Sequence, residues 1–185
     1  SNLGKDVVGY LDLSNAFAAT TSIWNQTKPT DSVFTIGAAG DINTSGNEYM
    51  AYCWTDIPNM THTSYYKGNA SATGAYIRTG FRPAYVMVKC ASSAAGWQIF
   101  DTGRDAGDTA DKTLRADTTA LESTSNGSIA WKDDGFQITS SNGEINSNGG
   151  FYIVVAFSEA DVVRQPGGEI KSLKASDLPV APILD

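Results

Sequence analysis

The sequence predicts an all-β fold: an antiparallel β-sandwich of the jelly-roll or lectin-like kind, with two internal repeats and little helix. Three observations predict it. Apolar and polar residues alternate at period two in short runs, as half-buried strands require. Eighteen glycines and an excess of Ser, Thr and Asn supply frequent turns. No stretch long enough for a three-turn helix carries a helical apolar stripe; Asp117 to Ser123 is the best candidate for a single turn.

The elements follow in chain order. Leu11-Asp-Leu-Ser14 opens the first repeat, and Trp24 precedes the alternating strand Ser32-Val-Phe-Thr-Ile36. Asp41-Ile-Asn-Thr-Ser-Gly46 reads as a turn, and Tyr49 to Trp54 as the strand after it. The same order returns later in the chain. Leu114-Arg-Ala-Asp117, Trp131, Asp134-Gly-Phe-Gln-Ile138, Glu144-Ile-Asn-Ser-Asn-Gly149 and Tyr152 to Phe157 follow in the same sequence. The offset is about 103, the difference between Asn43 and Asn146. Repeat one covers about residues 1–56 and repeat two about 64–158, together one sandwich over 1–158. Repeat two alone has the preceding strands Tyr65-Tyr66, Ala75 to Arg78, Tyr85 to Lys89 and Trp97 to Asp101. Nothing in residues 1–10 matches them, so the opening strands of repeat one are lost or lie upstream. A bare sheet edge left that way invites a neighbouring chain.

Tyr85 to Lys89 and Phe151 to Phe157 are apolar on both faces and read as central strands. Residues 159–185 break the pattern. Leu178-Pro-Val-Ala-Pro-Ile-Leu-Asp185 is proline-spaced, which forbids a central strand, and reads as an extended arm docked on a neighbour.

Composition excludes several functions. A formal net charge of −7 argues against binding a phosphate backbone, so no nucleic-acid partner is expected. The longest apolar run, Phe151 to Phe157, is far too short for a membrane helix. The chain opens on Ser1 without a charged-then-apolar leader, so no signal peptide is expected in it. Cys53 and Cys90 each sit in an apolar strand and are expected as free thiols, Cys90 and Cys53 behaving as small hydrophobes. The Asn-x-Ser/Thr triplets at Asn25, Asn43, Asn59, Asn69 and Asn126 are expected by chance in so Asn-, Ser- and Thr-rich a chain.

The catalytic search returns little. His62 is the only histidine and has no nucleophile motif near it. Asp101, Asp105, Asp108 and Asp111 lie in a polar, glycine-containing loop, a setting that does not tune a carboxylate pair for glycoside hydrolysis. Arg104 beside Asp101 reads as a local ion pair. Asp41-x-Asn43-x-Ser45-Gly46 copies the opening of a calcium loop, but Tyr52 stands where the closing Glu belongs. An Asx-stabilised turn explains the same residues. Asp41 and Asn43, with Asp105 and Asp108, are thus the calcium candidates of a chain expected to need no metal or cofactor. Aromatics shared by both repeats (Trp24/Trp131, Phe34/Phe136, Tyr49/Tyr152, Trp54/Phe157) are expected in the core. Tyr65, Tyr66 and Tyr76 have no counterpart in repeat one and are the candidate ligand contacts, flat faces of the kind sugars stack on.

The segments Trp24-Asn-x-Thr-x-Pro-Thr-x-Ser-Val-Phe-Thr-Ile-Gly37, Tyr49-x-Ala-Tyr-Cys-Trp54, Thr79-Gly-Phe-Arg-Pro-Ala-Tyr-Val-Met-Val-Lys89 and Asn148-Gly-Gly-x-Tyr-Ile-x-x-Ala-Phe157 resemble a duplicated β-domain of unknown function. That domain occurs in tail-fibre-like and other virion-associated proteins of tailed phages, especially marine ones. The likeness runs from about Leu11 to Glu159. Two departures matter: the opening strand of the family's first repeat is missing here, and the tail after Glu159 lies outside the pattern. The resemblance implies a non-enzymatic virion protein, assembled in the host cytoplasm, that builds an appendage or tail fibre and binds a host surface. It also implies partners among other virion subunits and a homo-oligomer. The alternatives are a carbohydrate-binding module, a capsid decoration or adaptor protein, and a polysaccharide depolymerase, the last lacking a visible carboxylate pair.

Overall fold

A computed structural model describes residues 4–159, together with Val163–Arg164 and Ile170–Lys171. The first third of the chain is sparse in regular structure. It holds β1 (Val7–Val8), β2 (Ala18–Ala19) and the single turn α1 (Gly40–Asn43). From residue 61 the strands become continuous: β3 (Thr61–Lys67), β4 (Tyr76–Arg78), β5 (Pro83–Cys90), β6 (Trp97–Asp101), β7 (Thr109–Ala110) and β8 (Leu114–Arg115). Then come β9 (Ile129–Lys132), β10 (Gly135–Ile138), the turn α2 (Gly143–Asn146) and β11 (Phe151–Ser158). A two-residue pair, β12 (Val163–Arg164) and β13 (Ile170–Lys171), ends the described chain.

Two antiparallel sheets make the body. One has the order β3-β11-β5-β6-β8, the other β4-β10-β9-β7. β11 sits between β3 and β5, with Val154 opposite Ser64 on one side and Val88 on the other. Alternation decides what lies inside. Val86, Val88, Tyr152, Val154 and Ala156 point inward and pack in one buried cluster with Ile77, Ile129, Trp131, Phe136 and Ile138 of the other sheet. The protein is therefore mostly β, two antiparallel sheets with little helix, consistent with a β-sandwich. β9 and β10 are joined by a two-residue hairpin, Asp133-Asp134, with Lys132 opposite Gly135.

Among the described residues helix occurs only as single turns. None among the described residues is long and apolar enough to cross a membrane. Neither turn lies at Asp117–Ser123; both lie where the sequence reads as β-turns. Asn142 caps α2, its side chain accepting from the Glu144 N–H at 2.8 Å. The glycines that follow, Gly46 (φ 84°) and Gly149 (φ 72°), occupy left-handed conformations that a side chain would strain.

The first third departs from expectation. Residues 32–36 and 47–56 form no ladder, and Phe34, Ile36, Tyr49 and Trp54 are exposed rather than core. Alternation gives a segment two faces; it does not supply a partner to cover one of them. Trp24 is half-buried and donates through Nε1 to the Val7 carbonyl at 3.2 Å, whereas Trp131 is fully inside.

Residues 10–17 hold to the sandwich by specific bonds. Trp97 Nε1 donates to the Tyr10 carbonyl at 2.8 Å, and the Phe17 N–H to the Ala91 carbonyl at 2.9 Å. The ammonium of Lys89, a fully buried residue, donates to the carbonyls of Ser14 at 3.1 Å and Ala95 at 2.7 Å. Those carbonyls satisfy a cation that burial would otherwise make costly. The tail expected as an arm lies outside the described residues apart from β12 and β13.

Candidate functional site

Strands that bury Val86, Val88, Val154 and Ala156 must turn the intervening residues outward. On the outer face of the five-stranded sheet this places Tyr85 and Met87 of β5, Ile99 of β6, and Val155 and Phe157 of β11. With Ala116, Leu11 and Trp54 they line a pocket of about 360 Å³. The Tyr85 and Phe157 rings lie 5.7 Å apart at 58°. Burial pushes the Tyr85 phenol upward, with the Asp101 charge adding to it, so it stays neutral. No charged side chain, nucleophile or histidine lines the pocket. It suits an apolar group, and its chemistry is that of contact rather than bond-making. Leu11 and Trp54 come from the first third of the chain, so the pocket is shared between the sandwich and the unpaired segment.

The three candidate tyrosines do not form one site. Tyr65 lies on the outer face of edge strand β3 and stacks on Phe151, centroids 5.1 Å apart. Tyr76 is on the outward side of edge strand β4 in the other sheet, donating to the Asp134 carboxylate; that bond raises its phenol pKa. The two therefore face opposite surfaces. Tyr66 is a core residue and no ligand contact: it is buried, stacks on Tyr152 at 4.9 Å and donates to the Ile145 carbonyl at 2.5 Å.

Three of the four calcium candidates are engaged in the chain's own bonds, and Asp41 is exposed. Asn43 Nδ2 donates to the Gly37 carbonyl at 2.9 Å. Asp105 Oδ2 accepts the N–H groups of Asp111 and Lys112 at 3.0 and 2.8 Å. Asp108 faces Arg82 at 3.4 Å. Among the described residues no three His, Cys, Asp or Glu side chains converge as a metal site would need. Arg104 bridges Asp101 at 2.5 Å and Glu122 at 3.4 Å while donating to the Ile99 and Lys112 carbonyls, a structural hub for the loop. His62 Nδ1 lies 3.1 Å from the Asp56 carboxylate, whose other oxygen accepts from the Thr63 N–H and hydroxyl. The thiols are unpaired, Cys53 exposed and Cys90 buried.

A polar network at one end of the sandwich carries no motif that marks it in the sequence. Glu144 of α2 accepts from the Gly96 N–H at 2.7 Å and from Gln98 Nε2 at 2.9 Å. Asp117 accepts from the Trp97 N–H at 2.8 Å and pairs with Arg115 at 2.6 Å. Burial pushes the Asp117 carboxyl up, but the bonds from Arg115 and Trp97 outweigh it and hold the pKa below the usual value. A depressed carboxylate contributes stability that is present above about pH 4 and lost as pH falls through its folded value. Asp117→Asn is expected to flatten the acid limb of the stability curve below about pH 4. Urea titrations at stepped pH measure this; an unchanged slope contradicts it.

No curated protein and no solved structure matches the chain. A family model, described as a domain of unknown function, DUF7483, matches residues 2–161. With that match spanning most of its length, the chain belongs to the DUF7483 family.

Proposed function

We propose that this protein is a non-enzymatic structural module of a particle appendage, a tail-fibre-like virion component of a tailed phage that meets other subunits and, through them, a host surface. The observation that carries the reading is the run Tyr49 to Trp54. Tyr49, Met50, Tyr52 and Trp54 are exposed together along an extended, unpaired segment beside a wholly apolar pocket. Such a surface costs solubility unless something covers it. The resemblance of the motifs to tail-fibre-like proteins supports the setting, and the engagement of Asp101, Asp105 and Asp108 in local bonds supports the non-enzymatic role. An acidic chain suits neutral glycans or protein partners better than anionic polymers.

Light scattering of the full chain over a hundredfold concentration range tests the reading. Uncapped, the segment drives concentration-dependent association, and the double substitution Tyr52→Asp, Trp54→Asp suppresses it. A chain that stays monomeric throughout contradicts the reading. The exposed Tyr65–Phe151 stack favours a second one, a carbohydrate-binding module. Discrete binding on a glycan array, lost in Tyr65→Ala, would establish that one instead.

A further inference from the structure

The turn α1 and the turn α2 share the following bonds, residue for residue at the offset of 103; the Asn142 side-chain cap of α2 alone has no counterpart, since Ala39 stands there. Tyr49 Oη donates to the Gly40 carbonyl at 3.1 Å and accepts the Thr44 N–H at 2.9 Å; Tyr152 Oη donates to the Gly143 carbonyl at 2.7 Å and accepts the Ser147 N–H at 2.7 Å. The Thr44 hydroxyl donates to the Gly40 carbonyl as the Ser147 hydroxyl does to that of Gly143. Asn43 Nδ2 donates to the Gly37 carbonyl as Asn146 Nδ2 does to that of Ser140. The main-chain bonds Ile42 to Ala39 and Asn43 to Ala39 repeat as Ile145 to Asn142 and Asn146 to Asn142.

What differs is what covers them. Phe136 and Tyr152 are 0% exposed; their counterparts Phe34 and Tyr49 are 42% and 49% exposed. Besides β7, β9 and the residues between them, which pack on β10 and α2 from within the same half of the chain, the groups that cover the second copy come from residues 61–101. β3 and β5 flank β11. Ile77 of β4 pairs with Phe136. Asn69 and Ser71 bond Asn146 at 2.8–3.1 Å. Gly96 and Gln98 bond Glu144. In the first copy the corresponding Asp41, Asn43, Ala51 and Cys53 are all exposed. The chain's own β5 cannot serve twice, because both its edges are taken, by β11 and β6.

We infer that residues 32–54 are the unfinished half of a second sandwich, and that a polypeptide segment outside these 185 residues completes it. That segment pairs antiparallel with Tyr49–Trp54 as β5 pairs with Tyr152–Phe157. It carries inward apolar side chains where Val86 and Val88 stand, and a polar loop that satisfies Asn43 as Asn69 and Ser71 satisfy Asn146. The inference deepens the assembly reading by naming the kind of partner, an extended strand pair rather than a second copy of this chain.

The test supplies the missing part. The full chain is compared with a fusion carrying an additional copy of residues 61–101 at its start through a flexible linker. Cys53 is the reporter, since Cys90 is buried. In the chain alone, at a concentration where it is monomeric, Cys53 is expected to react with a small thiol reagent at the rate of a free exposed cysteine. In the fusion that rate is expected to fall at least tenfold. The control donor, with aspartate at the copied positions of Val86 and Val88, is expected to restore it. Slow hydrogen exchange at β11 in both fusions checks that the sandwich itself is folded. Equal Cys53 reactivity in chain and fusion overturns the inference. So does a defined dimer of the unfused chain that protects Cys53, because a second copy would then be the occupant. Self-association of the unfused chain tests the assembly reading separately, so either can fail without the other.

Discussion

Phe136→Ala is expected to destabilise the protein by about 4 kcal/mol, while Phe34→Ala changes stability by less than about 0.5 kcal/mol. The two phenylalanines stand at corresponding places in the same Phe-x-Ile alternation, so the strand pattern does not separate them. Burial does. Phe136 is fully enclosed among Ile77, Trp131 and the inward residues of the facing sheet, so its truncation loses transfer energy and leaves a cavity. Phe34 keeps much of its ring in water and holds up no neighbour whose loss would open the core. Urea unfolding followed by far-ultraviolet circular dichroism gives both numbers. Comparable losses at the two positions would mean that the first third of the chain is packed as tightly as the second.

Asn146→Ala should cost about 3 kcal/mol. This side chain is fully buried and makes four bonds: to the carbonyls of Ser71 and Ser140, to Asn69 Oδ1, and from the Asn69 N–H. Its removal strands several partners at once in a place water does not reach. Asn146→Asp should be no rescue, since a carboxylate faces the same carbonyls with acceptors only. In the corresponding Asn43→Ala one exposed bond is lost, and a few tenths of a kcal/mol is expected. Thermal unfolding of the three variants checks the order. A fully stable Asn146→Ala would show that the loop after β3 does not depend on it.

Much of the second half was legible because its strands carry their own evidence. β5 and β11 are apolar on both faces, and β10 alternates so that Phe136 and Ile138 fall on one side. The first half carries the same local signals at Phe34, Ile36 and Tyr49 but no ladder. Alternation specifies a face, whereas a ladder depends on a partner far away in sequence. The adjacent pair Tyr65-Tyr66 illustrates the same limit from the other side. Neighbouring strand residues point to opposite faces, so only one of them could reach a ligand, and the alternation with buried Tyr152 decides which. The network of Glu144, Gln98, Asp117 and Arg115 was not legible. Its members are scattered over 47 positions, Gln98 to Glu144 inclusive, and no spacing rule connects them. The turns α1 and α2 are not legible as helix because four residues carry no periodicity; a closing Tyr hydroxyl makes both, and a capping Asn adds to α2 alone.

The central claim is that one half of this chain is a closed sandwich and the other presents strand-forming residues without strands to pair with. Hydrogen exchange read residue by residue on the full chain, at a concentration where it is monomeric, tests that most directly. The expected result is slow exchange for the amides of residues 85–90 and 152–157 and exchange near the unprotected rate for residues 49–54. Equal protection of 49–54 and 152–157 in the monomer would contradict it, because the first half would then already have its partners.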